Sequence, residues 1–233
     1  QSLLGLDVTQ LMSPDLAHRM ANACGVLAVA SSVVGIYYMN KCYRIKARPF
    51  WNHWQVSTAF IGSALSLGGL LAGAVVLTTL AVTGHAWQAS AQWFGALVTL
   101  GLLIEGVGHT AHSRDMGRAE HEGGASYYIQ TTTFGKTFVL RNALLAVNTL
   151  AAAGLLTSML ALGETSLAIM LGWAAVAAAA VFTSLMSRAL FYVLVIPTTM
   201  PGAFFWKNKG FEEHARDIGL ANMPQVGVAP LRH

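Results

Sequence analysis

A chain of 233 residues with 55% hydrophobic residues, 10% charged residues and a mean hydropathy of +0.53 is too apolar for a soluble domain, in which roughly a quarter of residues are charged. The net charge of +4 and pI near 9.3 do not mark a nucleic-acid-binding face: all of the 14 Lys and Arg residues except Arg19 fall on one side of a pattern of apolar runs, which is the signature of cytoplasmic loops and of contact with anionic lipid or an acidic partner. No formal charge occurs between Arg48 and Glu105, so lipid is the solvent for that stretch.

The chain opens with Gln1, and no basic region followed by a short apolar run precedes the first span. A cleavable signal peptide is therefore not visible, and the chain is expected to lack something upstream. Residues 1–19, with Asp7, Asp15 and Arg19, form an outer segment. A span needs about 20 mostly apolar residues, and residues 20–200 contain five such segments. Met20–Met39 is closed by Lys41, Arg44, Lys46 and Arg48; spans two and three cover about Ser57–Val82 and Ser90–Val107, joined without charge. After a polar loop come about Phe138–Ala161 and a last span from Ser166 to about Ile196, where Pro197 and Pro201 interrupt it. Residues 201–233 form a tail in which Phe211, Ala215 and Ile218 share one face of a short amphipathic helix. The predicted fold is all-α, a polytopic bundle of transmembrane helices in the inner (cytoplasmic) membrane, N-out and C-in over this chain.

Trp51, Trp54 and Trp206 fall at the basic boundary, and Trp87 and Trp93 at the other, as an aromatic belt requires. Helix contacts are expected through Gly62, Ser66, Gly69 and Gly73 of the second span and the tract Ala174–Ala180 of the fifth. Cys24 and Cys42 sit on one helix, roughly 27 Å apart at 1.5 Å per residue, too far to bridge. With no Cys-x-x-Cys and no Cys/His cluster, no structural zinc or iron–sulfur site is expected in this chain.

Ionisable groups inside spans are costly and are functional candidates by default. Glu105, Arg141 and Arg188 qualify, although each lies toward the basic end of its helix, where a long side chain can snorkel. Glu105, His109 and His112 are spaced i, i+4, i+7 and line one helix face. They read either as a path for protons or as a solvated helix end. No second carboxylate or His cluster within the spans completes a metal site. His53, His109, His112, His121 and His214 fall at or beyond the basic boundary, His18 and His85 lie on the other side, and His233 is terminal. No two face each other at mid-membrane, so haem is not expected. No nucleotide-binding or nucleophile motif appears, and Gly123–Gly124 reads as a loop feature.

Three segments together resemble the membrane-anchor subunits of the dimethyl sulfoxide reductase family. They are the aromatic stretch Arg48-Pro49-Phe50-Trp51-Asn52-His53-Trp54-Gln55, which leads into the helix of Phe60, Leu65, Gly68 and Gly69, then Phe138-Val139-Leu140-Arg141-Asn142-Ala143-Leu144-Leu145, and Ser187-Arg188-Ala189-Leu190-Phe191-Tyr192. The resemblance implies a non-catalytic anchor tethering an iron–sulfur subunit and a molybdopterin catalytic subunit, which alone carry those cofactors, to the quinone pool. It covers the later five of the family's eight helices, so the chain is expected either to begin partway through the subunit or to be a shortened variant. The family's early quinol-binding His and acidic residue have no counterpart here.

In the family the loops corresponding to Lys41–Gln55 and Gly108–Thr137 receive the catalytic arm; here those loops carry Lys and Arg, so the resemblance implies an arm in the cytoplasm, as in sulfite-oxidising complexes of the family. The expected function is electron transfer from substrate oxidation to ubiquinone or menaquinone. His53, Trp54, Arg141, Arg188 and Tyr192 are the candidate quinone-pocket residues, with Trp51 as a further wall, and Glu105 and His109 the proton path. The alternatives are a quinol-oxidising anchor of a respiratory reductase, a transporter, or a scaffold without quinone contact.

Overall fold

The computed structural model describes residues 13–119, 122–163, 166–194, 213 and 216–217. Phe211, Ala215 and Ile218 of the proposed tail helix, with His121, Trp206 and Glu164, lie outside the described residues. Six helices are described: α1 Pro14–Tyr43, α2 Gln55–Val82, α3 Gln88–Met116, α4 Glu122–Thr131, α5 Gly135–Leu162 and α6 Leu167–Val193. No strand occurs among the described residues. All but α4 are long and apolar enough to cross a membrane. At 1.5 Å per residue a 28-residue helix such as α2 runs about 42 Å, longer than the hydrocarbon core of about 30 Å, so its ends stand in the headgroup zone or beyond.

The chain divides into two compact units at Cys42–Tyr43. In the first, α1 exposes an apolar surface that includes Val26, Leu27, Val29 and Val33. Its Ser31 and Ser32 hydroxyls donate to the Ala28 carbonyl, so the helix satisfies its own polar groups, as a lipid-facing helix must. Cys24 and Cys42 are free thiols.

The second unit is a bundle of α2 to α6. Its tightest pair is α2 against α3, built on the expected small residues: Gly62, Ser66, Gly69 and Gly73 are all buried, and Gly101 of α3 completes the contact. A Cβ on Gly101 would lie 2.6 Å from both the Gly62 carbonyl oxygen and the Ser66 nitrogen. Both obstacles are backbone, so only glycine allows this approach. The alanine tract of α6 contributes less than expected; within it Val176 and Ala180 are buried, while Ala174, Ala175 and Ala178 are exposed. Helix ends follow local chemistry. The Ser166 hydroxyl caps α6 by accepting from the Ile169 N–H, and Gly163 ends α5 at φ 67°.

Three apolar layers stack along the bundle. Phe50, Trp51, Met116, Leu190 and Leu194 form an aromatic layer at the basic end. Val98, Leu102, Leu145, Ala152 and Val176 fill the middle, and Ala91, Met159 and Ile169 the far end. Arg44, Lys46, Arg48, Arg114, Arg118 and Lys136 all lie near the helix ends that carry the aromatic layer.

Three expectations are corrected. The third span does not end near Val107; α3 continues to Met116. His109 and His112 are therefore buried in the bundle rather than at or beyond its boundary. Gly123 and Gly124 are not loop residues but buried positions of α4, where a Cβ on Gly124 would collide with the Ala119 carbonyl. Trp51 leaves the interfacial belt: it is 6% exposed and its indole N–H donates to the Phe191 carbonyl at 2.8 Å.

Candidate functional site: a buried polar cluster at the basic end

Between the aromatic layer and the middle layer lies a set of buried polar side chains drawn from every helix of the second unit. The i, i+4, i+7 face of α3 supplies Glu105, His109 and His112. The start of α2 supplies Gln55, α4 supplies Ser126 and Gln130, α5 supplies Arg141, and α6 supplies Thr183 and Ser187; all are buried.

His109 is the centre. Arg141 places a terminal guanidinium nitrogen 2.9 Å from its Nδ1 and 3.0 Å from its Nε2, and the Gln55 side-chain amide donates to Nδ1 at 3.2 Å. Glu105 Oε1 lies 3.4 Å from Nε2. A guanidinium can only donate, so with the proton on Nε2, facing Glu105, Nδ1 is the acceptor that Arg141 and Gln55 share, and the approach of Arg141 to Nε2 is a contact and not a hydrogen bond. Arg141 and Glu105 are thus opposite charges bridged by one imidazole. Arg141 is 3% exposed: it does not snorkel but turns inward.

The other two imidazoles are oriented by backbone. His53 accepts from the Gln55 N–H at Nδ1, 3.0 Å, which leaves its Nε2–H to donate to Asp115 Oδ2 at 3.1 Å. His112 donates through Nε2 to the Phe50 carbonyl at 3.0 Å. The two rings meet edge to face with centroids 5.1 Å apart. Asp115, which the sequence reading passed over, is partly exposed and so connects this array to water. Among the described residues no group of three or more His, Cys, Asp or Glu is placed to hold a metal ion.

Several buried atoms have no hydrogen-bond partner among the described residues: Gln130 Oε1, Arg141 Nε and Ser187 Oγ, with Ser126 Oγ and Thr183 Oγ1. The first three belong to side chains lining a small pocket that Glu105, His109, His112 and Arg188 also line. Its free volume of about 30 Å³ holds one or two waters by the usual requirement of about 10–15 Å³ each. Unpaired buried polar groups cost free energy, and all three of these side chains line the pocket.

Of the residues singled out in the sequence, the structure brings together Glu105, His109, Arg141 and Arg188. The Arg188 guanidinium lies over the Phe60 ring, 4.4 Å from its centre. His53 stands one step toward the surface beside Asp115. Trp54 and Tyr192 are 41% and 50% exposed; Trp54 tilts over His53, and the Tyr192 hydroxyl bonds that of Tyr43 at 2.7 Å. Gln55, Gln130 and Ser187 were not anticipated. Gln55 and Ser187 stand at the ends of two of the resemblance segments, but nothing in the sequence alone shows that they or Gln130 face inward.

The three sequence segments that carried the family resemblance converge here. Trp51 of the first stacks on Phe191 of the third, with centroids 5.0 Å apart and planes 9° apart, and the second provides Arg141. The model of the family described as "DMSO reductase anchor subunit (DmsC)" matches residues 4–194. Comparison with curated proteins and with solved structures gave no match. With a match over most of its length, five described helices long and apolar enough to cross a membrane and its motif segments gathered at one end of the bundle, the chain belongs to the DMSO reductase anchor subunit family and is the membrane anchor of a molybdopterin oxidoreductase complex.

Proposed function

We propose that this anchor is quinone-reactive, that its basic end lies in the cytoplasm and receives an iron–sulfur subunit, and that electrons from a sulfite-type oxidation on the molybdopterin subunit pass through that partner to ubiquinone or menaquinone in the membrane. The observation that carries the reading is the Glu105–His109–Arg141 cluster, a buried charge pair bridged by an imidazole at the same end as Arg44, Lys46, Arg48, Arg114 and Arg118. Buried ionisable groups in a membrane protein are costly and mark proton or ligand chemistry. A quinone accepts two electrons and two protons on reduction to quinol, so its site needs a proton supply shielded from lipid.

Each residue then has a role. Glu105 and His109 hold and pass a proton, and Arg141 fixes both in place. Arg188 walls the pocket from α6. His53, bonded to the partly exposed Asp115, links the interior to the aqueous side. Trp54 and Tyr192 stand at the rim, where the pocket meets the partner or the headgroups. In this reading electron storage belongs to the partner subunits, and the anchor supplies the quinone site and its protons.

Quinol oxidation in a DMSO-type reductase uses the same residues in reverse, and the family description favours it as the second reading. A transport role, motivated by Glu105, Arg141 and Arg188 within spans, gains no support from the family match. The purified complex separates the two directions. Reduction of added quinone when sulfite is supplied, without net reduction of a sulfoxide by added quinol, is the expected outcome; the opposite pair of results overturns the direction.

A further inference from the structure

Three cavities are candidates for the quinone head, and they differ in size and chemistry. The polar pocket described above is of the size of one or two waters. A second cavity of about 480 Å³ at the far end, lined by residues such as Phe94, Met170 and Trp173, has no titratable side chain in its wall. The third is a groove of about 930 Å³ between α3 and α5, next to α4. Clefts that hold ligands of this class run to about 300–1,000 Å³.

The groove has two kinds of wall. Leu103, Val107 and Leu150 line it and are 48%, 60% and 74% exposed, so along these residues it opens to lipid. Toward the basic end Tyr127 and Phe138, whose rings meet edge to face at 6.1 Å, stand with Asn142 and His109. His109 lines both the groove and the polar pocket, and no other residue of the two walls does so. Of the bonds at His109, Nε2 to Glu105 is the longest at 3.4 Å, beyond the ordinary range of about 2.7–3.2 Å. The Nε2–H contact with Glu105 is therefore the weakest that the imidazole makes.

Resting on the reading that this anchor is quinone-reactive, the geometry points to the α3–α5 groove as the binding site of the quinone head, with one carbonyl accepting from His109 and the isoprenoid tail leaving along Leu103, Val107 and Leu150 into the bilayer. Aromatic walls suit a flat ring, and Asn142 offers an amide donor to the ring's oxygens. A lipid acyl chain uses neither. The polar pocket behind His109 then serves as a water-holding reserve and not as the quinone site itself, which separates ring from water by a single imidazole.

Photolabelling of the purified complex with an azido-benzoquinone bearing a short isoprenoid tail tests this. The expected result is label within residues 102–114 or 138–150, removed by excess unlabelled quinone, and a KM for quinone about tenfold higher in Ala146→Trp, which fills the groove; the rate with an artificial dye acceptor, measured in parallel, reports on assembly. If Ala146→Trp does not assemble, the labelling map of the wild-type complex decides. Label near Trp54 or Tyr192 overturns the groove while leaving the quinone reading intact. Label on a partner subunit alone overturns both. Label displaced equally well by an isoprenoid alcohol with no ring shows a lipid groove and also overturns the assignment.

Discussion

Gly101→Val is expected to remove most of the subunit from the membrane fraction, because it drives a branched side chain into the backbone of α2. The obstructing atoms, Gly62 O and Ser66 N, each lie 2.6 Å from where the first added carbon would sit, and neither can rotate away as a side chain would. Overpacking a core costs typically about 1–3 kcal/mol when side chains can adjust. Here two helices must separate along their closest contact, which puts the cost at the upper end of that range or above it, in the region of 4 kcal/mol that single substitutions seldom reach. The control lies on the same helix pair. Gly68 of α2 has nothing within 4 Å of its would-be Cβ, so Gly68→Ala should leave the subunit level unchanged or raise it, alanine being favoured over glycine in a helix interior by about 1 kcal/mol. Immunoblots of membranes together with thermal unfolding of the solubilised complex measure both. Equal levels for the two variants would show that the α2–α3 approach is looser than described.

Arg141→Met is expected to destabilise the complex by about 3–5 kcal/mol, the range for leaving one member of a buried ion pair without its partner. The substitution removes the guanidinium bonded to His109 and strands Glu105, which is 5% exposed. Adding Glu105→Gln removes the stranded charge, and the double variant should recover most of the loss, giving a coupling energy within the 0.5–3 kcal/mol seen for contacting residues or above it. Denaturation of the four members of this cycle measures the coupling. Additive effects would mean that Glu105 and Arg141 do not sense each other through His109.

How much of this was legible in the sequence depends on whether a residue's partner is near in the chain. The spans could be read because each is a long apolar run, bounded by charge except where the second and third meet. Gly62, Ser66, Gly69 and Gly73 could be read because small residues at a spacing of three and four have one use inside lipid. The α3 face of Glu105, His109 and His112 was also visible, being a pattern within one helix. Its burial was not. A hydropathy profile scores Glu, His, Ser, Arg and Asp as loop, and ended the span near Val107, whereas the polar residues of α3 are met by Gln55 from α2, Arg141 from α5 and the Phe50 carbonyl. Those partners lie tens of residues away, and only the packed bundle brings them together. The same error assigned Gly123 and Gly124 to a loop. Asp115 and Gln130 escaped notice for a related reason: a lone polar residue beside a helix end looks solvated until the opposing helix is known.

The most direct test of a quinone-reactive cluster is the ratio of quinone-coupled to dye-coupled turnover in purified complex carrying Glu105→Gln with Arg141→Met, the pair chosen because it removes both charges and leaves neither stranded. Loss of a positioned proton-transfer group slows its step by about 10²–10⁴-fold, so the ratio is expected to fall at least about a hundredfold. A ratio that stays within about twofold of wild type would contradict a role for the Glu105–His109–Arg141 cluster in quinone chemistry and leave it a structural feature of the anchor.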